Sequence, residues 1–396
     1  MESIKDKVAI IGMGCTAFGE LRDKTHEDLI VEAAYEAFED AGIGLEDIQM
    51  AWVGTVESGE LGLCLSRPLK LRYIPVTRVE NLCATGSEAL RAASYAVAAG
   101  VCDIALALGF EKLRDKAIHG PTETVITPLS IKEYMLPPGN FAMVATRYFY
   151  RYGINYEDGK RMLAKIAVKN HANGFLTPKA SFHRKVTVEE AMNAPMIAYP
   201  LGIYDACGSS DGAAAAIVTR ADMATKFRPD PLYIKSLTIA AGPREGRLRQ
   251  DYDYIHFEEN IYAAKKAYAE AGITNPLKEL SLAEVHDCFT ITEAVTCEDL
   301  DWAPRGKVKE SIDAGVFELD GEMPVNSDGG LKCFGHPLGA SGLRMMYEVY
   351  KQCQGKAGER QIKNAHLGLT HNLGGGPGTS VVSILIAGSE KPSKLH

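Results

Sequence analysis

The chain has 396 residues, 46% of them hydrophobic and 24% charged, with a net charge of −8. That length supplies material for a large core, and the acidic balance argues against a general nucleic-acid or anionic-membrane surface. No apolar run reaches the ~18 residues that a membrane-spanning helix needs. The first residues, MESIKDKVAIIGMG, lack a secretory apolar core, and Ser393-Lys394-Leu395 is followed by His396, so a peroxisomal terminal signal is not met. The expectation is a cytoplasmic protein with no nucleic-acid or membrane partner. The nine cysteines are dispersed and form no CxxC pair, which fits reduced thiols and argues against a structural zinc site.

In chain order, residues 7–12 read as a strand. A helix follows from Glu27 to Ala41, with Thr25 as its cap and Gly42 as its stop. Residues 50–56 and 77–82 read as strands, 87–99 as a helix and 104–108 as a strand. Residues 111–199 have irregular periodicity with scattered Pro, Lys, Arg and His, and read as an inserted loop subdomain. Apolar strands return at 212–220, at 281–285 and at 378–388. Alternating short apolar runs and amphipathic helices mark an α/β protein.

An internal repeat organises the chain. AAYEAFEDAGI at 33–43 recurs as AAKKAYAEAGI at 263–273. Cys83-Ala-Thr-Gly86 with Leu90 and Arg91 aligns with His336-Pro-Leu-Gly339 with Leu343 and Arg344. Each turn opens a helix, so two halves related by a pseudo-twofold would bring a thiol and an imidazole face to face.

Cys83, just before a helix, is placed where the positive helix end lowers a thiol pKa; the alternative is an inert cysteine at a strand end. His336, flanked by Gly and Pro, could accept the Cys83 proton or simply cap its helix. His286 and Cys288, in EVHDCFT after an apolar strand, would point to one side if the strand continues, suiting carbonyl polarisation and proton transfer. The same spacing suits metal ligation, but no third ligand is spaced locally, and no metal is expected. HNLGGGPG at 371–378 is either an oxyanion-binding turn or a plain hairpin. Asp205–Gly212 reads as a structural turn. Neither HNLGGGPG nor GMGCTAFG after the first strand fits a dinucleotide fingerprint.

The ordered set NLCATGSEAL, HDCFT, GHPLGASG and HNLGGGPG, with PLGIYDACGSSDGAAAA before the midpoint, resembles the thiolase superfamily, in particular its sterol-carrier-protein-type and archaeal acetoacetyl-CoA thiolase branch. The resemblance implies two βαβαβαββ halves in a five-layered αβαβα core. The N-terminal half would span 1–110 and 200–230, a loop subdomain covering the site 111–199, and the C-terminal half 231–396. It assigns Cys83 as acyl-accepting nucleophile and His336 as its activator. Where most thiolases carry a second cysteine this chain has Asn372, which passes the acid/base role to Cys288. His286 and His336 would form one oxyanion hole, and the N–H groups of Cys83 and Gly374 the other. The implied reaction cleaves or forms a C–C bond of a 3-oxoacyl-CoA, with coenzyme A as substrate and no permanently bound cofactor. Relatives include acetoacetyl-CoA thiolases and the large subunit of a benzoylsuccinyl-CoA thiolase. A homodimeric core is implied, and several relatives work with a small zinc-ribbon/OB-fold subunit. The alternatives are a thiolase-fold aldolase or lyase and a non-catalytic acyl-CoA-binding scaffold.

Overall fold

A computed structural model describes residues 3–59, 61–116, 137–245, 249–378 and 380–392. Nine strands form one mixed sheet: β1 (Val8–Cys15), β2 (Met50–Gly54), β3 (Val76–Val79), β4 (Ile104–Glu111), β5 (Gly212–Arg220), β6 (Leu232–Ala241), β7 (Leu282–Glu284), β8 (Leu367–Gly374) and β9 (Val381–Gly388). Their order is β3-β2-β4-β5-β1-β6-β9-β8-β7. The duplication is visible in that order. Outward from the β1–β6 seam, the first half runs β1-β5-β4-β2 and the second β6-β9-β8-β7. In each, the first three strands are antiparallel to their neighbours in that run and the fourth pairs parallel with the third. The seam is narrow, with Ala9 opposite Tyr233 and Ile10 opposite Leu232. The fifth strand of the first half, β3, has as its counterpart a single bridge between Ala283 and Val325.

Helices α1 (His26–Ala41), α2 (Thr85–Ala98), α3 (Pro137–Tyr152), α4 (Tyr156–Phe175), α5 (Glu258–Ala271), α6 (Thr290–Asp299), α7 (Gly330–Phe334) and α8 (Leu338–Cys353) complete the parts needed here. Thr25 caps α1 in a reciprocal box with Asp28, and Gly42 ends it in the left-handed conformation (φ 69°). Its repeat partner α5 ends the same way at Gly272 (φ 79°). The alanine stripe of α1 exists because β1 presents glycines beneath it. A Cβ on Gly12 would lie 2.3 Å from the Ala37 carbonyl oxygen, and one on Gly14 2.1 Å from that of Ala33.

Strand periodicity divides the core into layers. On β5, Ala213, Ala215 and Ile217 face α1, while Ala214, Ala216 and Val218 face α2 and α8. The second sheet half turns Leu385 toward the same central helices and Ile384 and Ile386 toward α5 and α6. The result is α, β, α, β, α, the five layers that the resemblance implies. In the 111–199 stretch the structure differs from the loop expected. Its described part holds two long helices, α3 and α4, and a small hairpin of Met196–Ala198 and Leu201–Gly202. The polar and basic residues that disguise the period of α4 are its outer face and the buried, ion-paired Lys160 and Lys169 on its inner face.

Candidate active site

The two aligned motifs meet where α2 and α8 cross in the central layer. Glycine is needed at that crossing. A Cβ on Gly86 would sit 2.6 Å from the Gly339 carbonyl oxygen, and one on Gly339 2.5 Å from that of Gly54. Backbone therefore rests on backbone, and the residues just before each helix, Cys83 and His336, come together. The aligned arginines do different work. Arg91 pairs with Glu88 at the surface, whereas Arg344 is fully buried between Glu284 and Asp328.

Cys83 follows a forced turn. Leu82 has φ 50°, and the Thr85 hydroxyl holds it by accepting the Asn81 N–H at 2.8 Å and donating to the Leu82 carbonyl at 2.5 Å. Ligand atoms of Cys83, His286 and His336 all lie within 4.8 Å of one another, and the two imidazoles meet edge to face at 5.1 Å. The His336 N–H donates to the Gly208 carbonyl at 2.9 Å. Its Nδ1 lies 2.8 Å from Ser341 Oγ, whose own proton is committed to the Pro337 carbonyl at 2.9 Å. Ser341 therefore accepts, Nδ1 carries the proton, and Nε2 keeps a lone pair. That Nε2 is buried and has no hydrogen-bond partner among the described residues.

The HDC segment is positioned differently from the strand expectation, because β7 ends at Glu284 and residues 286–288 are not in a strand. The segment is pinned group by group. Val285 N–H donates to Asn326 Oδ1 at 2.8 Å and His286 N–H to His371 Nδ1 at 3.4 Å. The Asp287 carboxylate accepts from Leu331 N–H (2.7 Å), Lys332 N–H (3.2 Å) and Asn170 Nδ2 (2.8 Å). The Cys288 carbonyl accepts the Cys207 N–H at 2.9 Å, and its sulfur lies 3.6 Å from Thr292 Oγ1. Asn372 is also buried, its Oδ1 held by the Ser87 hydroxyl at 2.7 Å.

Electrostatics corrects one expectation. Cys83 does sit at a helix start, but burial outweighs the helix end and pushes its thiol up to about 12, with the Gly375 amide opposing. Burial and, less, the Arg344 guanidinium push His336 down to about 3; burial does the same to His371. His286 is held well below, and the Cys288 thiol well above, its ordinary value, both chiefly by burial. The resting pair is thus neutral thiol and neutral imidazole, a proton donor beside an acceptor. Gly374 packs on the Cys83 turn, where a Cβ would lie 2.4 Å from the Asn81 carbonyl oxygen and 3.2 Å from the Cys83 nitrogen. Its bare backbone leaves the Cys83 amide uncovered. Cys83, His286 and His336 also have donor types that could hold a divalent ion.

Sequence reasoning passed over four participants. Cys207, read as part of a structural turn, lies in the electrostatic neighbourhood of both Cys83 and Cys288. Ser341 fixes the His336 tautomer, His371 holds the His286 backbone, and Gly375 faces the Cys83 sulfur. Only Ser341 and His371 carried a signal, as polar residues inside motifs whose neighbours were already singled out.

The Thiolase N-terminal domain family matches residues 8–222, and the Thiolase C-terminal domain-like family matches 243–387. The chain belongs to the thiolase family. It is 39% identical over 387 residues to an acetyl-CoA acetyltransferase of Methanothermobacter thermautotrophicus, covering 95% of this thiolase and 98% of that protein. It is 32% identical over 402 residues to sterol carrier protein 2 of Gallus gallus, covering 96% of the chain and 72% of that protein. The Ltp2-ChsH2(DUF35) aldolase shares the fold at TM-score 0.84 and 23% identity, across 99% of this thiolase and 100% of that chain. Human mitochondrial 3-ketoacyl-CoA thiolase in complex with CoA shares it at TM-score 0.69 and 18% identity, across 98% and 99%.

Proposed function

We propose that this thiolase cleaves or forms the C2–C3 bond of a 3-oxoacyl-CoA through an acyl group carried on Cys83. The observation that carries this reading is the unpartnered His336 Nε2, a lone pair fixed by Ser341 within reach of the Cys83 thiol. In the cleavage direction His336 takes the Cys83 proton and the sulfur attacks C3. The C2–C3 bond breaks, and the Cys288 thiol protonates C2 of the departing acyl-CoA. The Cys288 thiolate then takes the proton of incoming CoA, whose sulfur attacks the acyl group, and Cys83 leaves with its proton returned by His336. His286 with His336 would hold the thioester oxygen, and the N–H groups of Cys83 and of Gly374 or Gly375 the oxygen at C3.

Acetoacetyl-CoA is one candidate substrate, in keeping with the archaeal acetyltransferase likeness; an aromatic 3-oxoacyl-CoA such as benzoylsuccinyl-CoA is the other. Residues 111–199 act as the subdomain over the site, between an N-terminal half of 1–110 plus 200–230 and a C-terminal half of 231–396. The working form is a cytoplasmic homodimer, for which the edge strand β3 and the exposed Leu61, Leu63 and Tyr73 beside it offer a surface. A small zinc-ribbon/OB-fold subunit has a second apolar surface to meet, formed by Met196, Ile197, Tyr199 and Ile203.

The test is mass spectrometry of the protein after brief exposure to acetoacetyl-CoA. An acetyl adduct on Cys83 that is absent from Cys83→Ser supports the reading. Normal thiolysis by Cys83→Ser without an adduct overturns it, and C–C cleavage without any need for free CoA would place the chain with the aldolases.

A further inference from the structure

Lys332, near the site, is left unused by the thiolase chemistry. It lies on α7, four residues before His336, and is only 5% exposed. Among the described residues, its ammonium forms no hydrogen bond or ion pair, although Asp287 and Asp205 lie within its electrostatic reach. Its neighbours are two aromatic faces, Phe182 at 5.9 Å and Tyr204 at 6.0 Å. The nearby carboxylates are already committed. Asp287 accepts from the Leu331, Lys332 and Asn170 nitrogens. Asp205 is paired with Lys160 and accepts from Gly202 N–H and Thr290 Oγ1. A buried ammonium without a hydrogen-bonded anion is costly, and burial lowers the proton affinity of Lys332 against the opposing pull of Asp287 and Asp205.

Three further observations place this cation in the wall that carries Cys207 and the Gly208 carbonyl. The Phe182 ring packs on Gly208, 3.0 Å from where a Cβ would stand, and the Gly208 carbonyl holds the His336 backbone. The Cys207 thiol, next in the same wall, lies within the electrostatic reach of both Lys332 and Cys83. Two buried polar atoms on this wall also lack partners: Ser209 Oγ, and Nε2 of His171, whose ring meets Tyr204 edge to face at 5.6 Å. Tyr204, Cys207 and Ser209 are partly accessible, so the wall opens outward. A cation, a hydroxyl and aromatic sides around an opening form a receptor for an organic anion.

We infer that Lys332 binds a carboxylate on the substrate itself, making this thiolase selective for 3-oxoacyl-CoA esters that carry a second, free carboxylate. This rests on the acyl-transfer reading above and names the substrate class of that site. A side chain this buried suits a single carboxylate brought in on the acyl group better than the phosphates of CoA, which need open solvent.

The probes are 3-oxoadipyl-CoA and 3-oxohexanoyl-CoA, which have equal chain length and differ in one terminal carboxylate. CoA-dependent thiolysis of each is measured for the wild type, Lys332→Met and Lys332→Arg. The wild type is expected to favour 3-oxoadipyl-CoA in kcat/KM, and Lys332→Met to lower that ratio about 30-fold or more, with Arg restoring most of it. Equal wild-type rates on the two probes overturn the inference, as does a Met variant that loses both equally. If Lys332→Met fails to fold, the wild-type ratio alone decides. Absence of an acyl adduct on Cys83 with either probe would instead sink the underlying acyl-transfer reading, whereas acylation by both without preference sinks only the carboxylate assignment.

Discussion

Single residues set the protonation states on which the site depends. His336 at about 3 and Cys83 at about 12 leave neither group titrating near neutrality in the free protein. Two outcomes follow. Nitrogen NMR of labelled protein should show the His336 ring neutral, with its proton on Nδ1, at pH 5 as at pH 7; an imidazolium signal at pH 5 would remove the base. Iodoacetamide should alkylate Cys83 slowly at pH 7 and faster with each pH unit above it, where a thiolate stabilised by the helix end would instead react at a plateau rate from about pH 7. Ser341→Ala frees the His336 ring to adopt the other tautomer and should lower kcat about 10-fold or more while KM changes little. His371 adds a stability signature. Its folded value of about 3 lies below the unfolded ~6.5, so below pH 6.5 the unfolded chain takes up a proton that the native state refuses. Stability is lost as pH falls, by about 2 kcal/mol between pH 7 and pH 5 from this one ring. The stability gap between wild type and His371→Gln should narrow by that amount in urea unfolding at the two pH values.

At the level of elements, the site is a crossing of two helix starts and a pinned turn. Gly339→Ala would drive a Cβ into the carbonyl oxygens of Gly54 and Phe110, at 2.5 Å and 2.7 Å, and neither is a flexible side-chain end. We expect a loss of roughly 1–3 kcal/mol of stability and a larger loss of activity, since the α2–α8 separation sets the Cys83–His336 distance. Thermal unfolding and kcat measured together would show it. A variant as active as wild type would mean that the crossing is not what aligns the pair. The second tie is the buried Lys160–Asp205 pair, which joins α4 to the turn carrying Cys207 and, through Thr290, to the start of α6. Lys160→Met leaves the Asp205 carboxylate buried with one cation fewer and should cost about 3–5 kcal/mol. Helix α4 was not legible as a helix because its buried lysines, Lys160 and Lys169, fall on inward positions where periodicity expects apolar residues. Each is satisfied by a carboxylate distant in sequence, Asp205 or Glu293.

For the whole molecule, a homodimer through β3 predicts a solution mass near twice 42.9 kDa. Charged residues placed at Leu61 and Leu63 should shift light-scattering mass toward the monomer if that edge is the interface, and leave it unchanged if it is not. The chain's own pattern determined the α/β class, the duplication and the first strand–helix unit with its Thr25 cap and Gly42 stop. These are local or near-local properties of period, capping and small-residue packing. It also determined that Cys83 and His336 occupy equivalent turns, because the repeat aligns them before any fold is known. Tertiary structure alone decided the rest. Which nitrogen of His336 is free depends on Ser341 and Pro337. That the Cys83 thiol is held protonated depends on desolvation of its sulfur by the surrounding fold, where helix position by itself argued the reverse. And that Lys332 stands without a hydrogen-bonded anion could not be read from sequence, since a lysine near acidic residues looks paired until the hydrogen bonds of Asp287 and Asp205 are seen to go elsewhere.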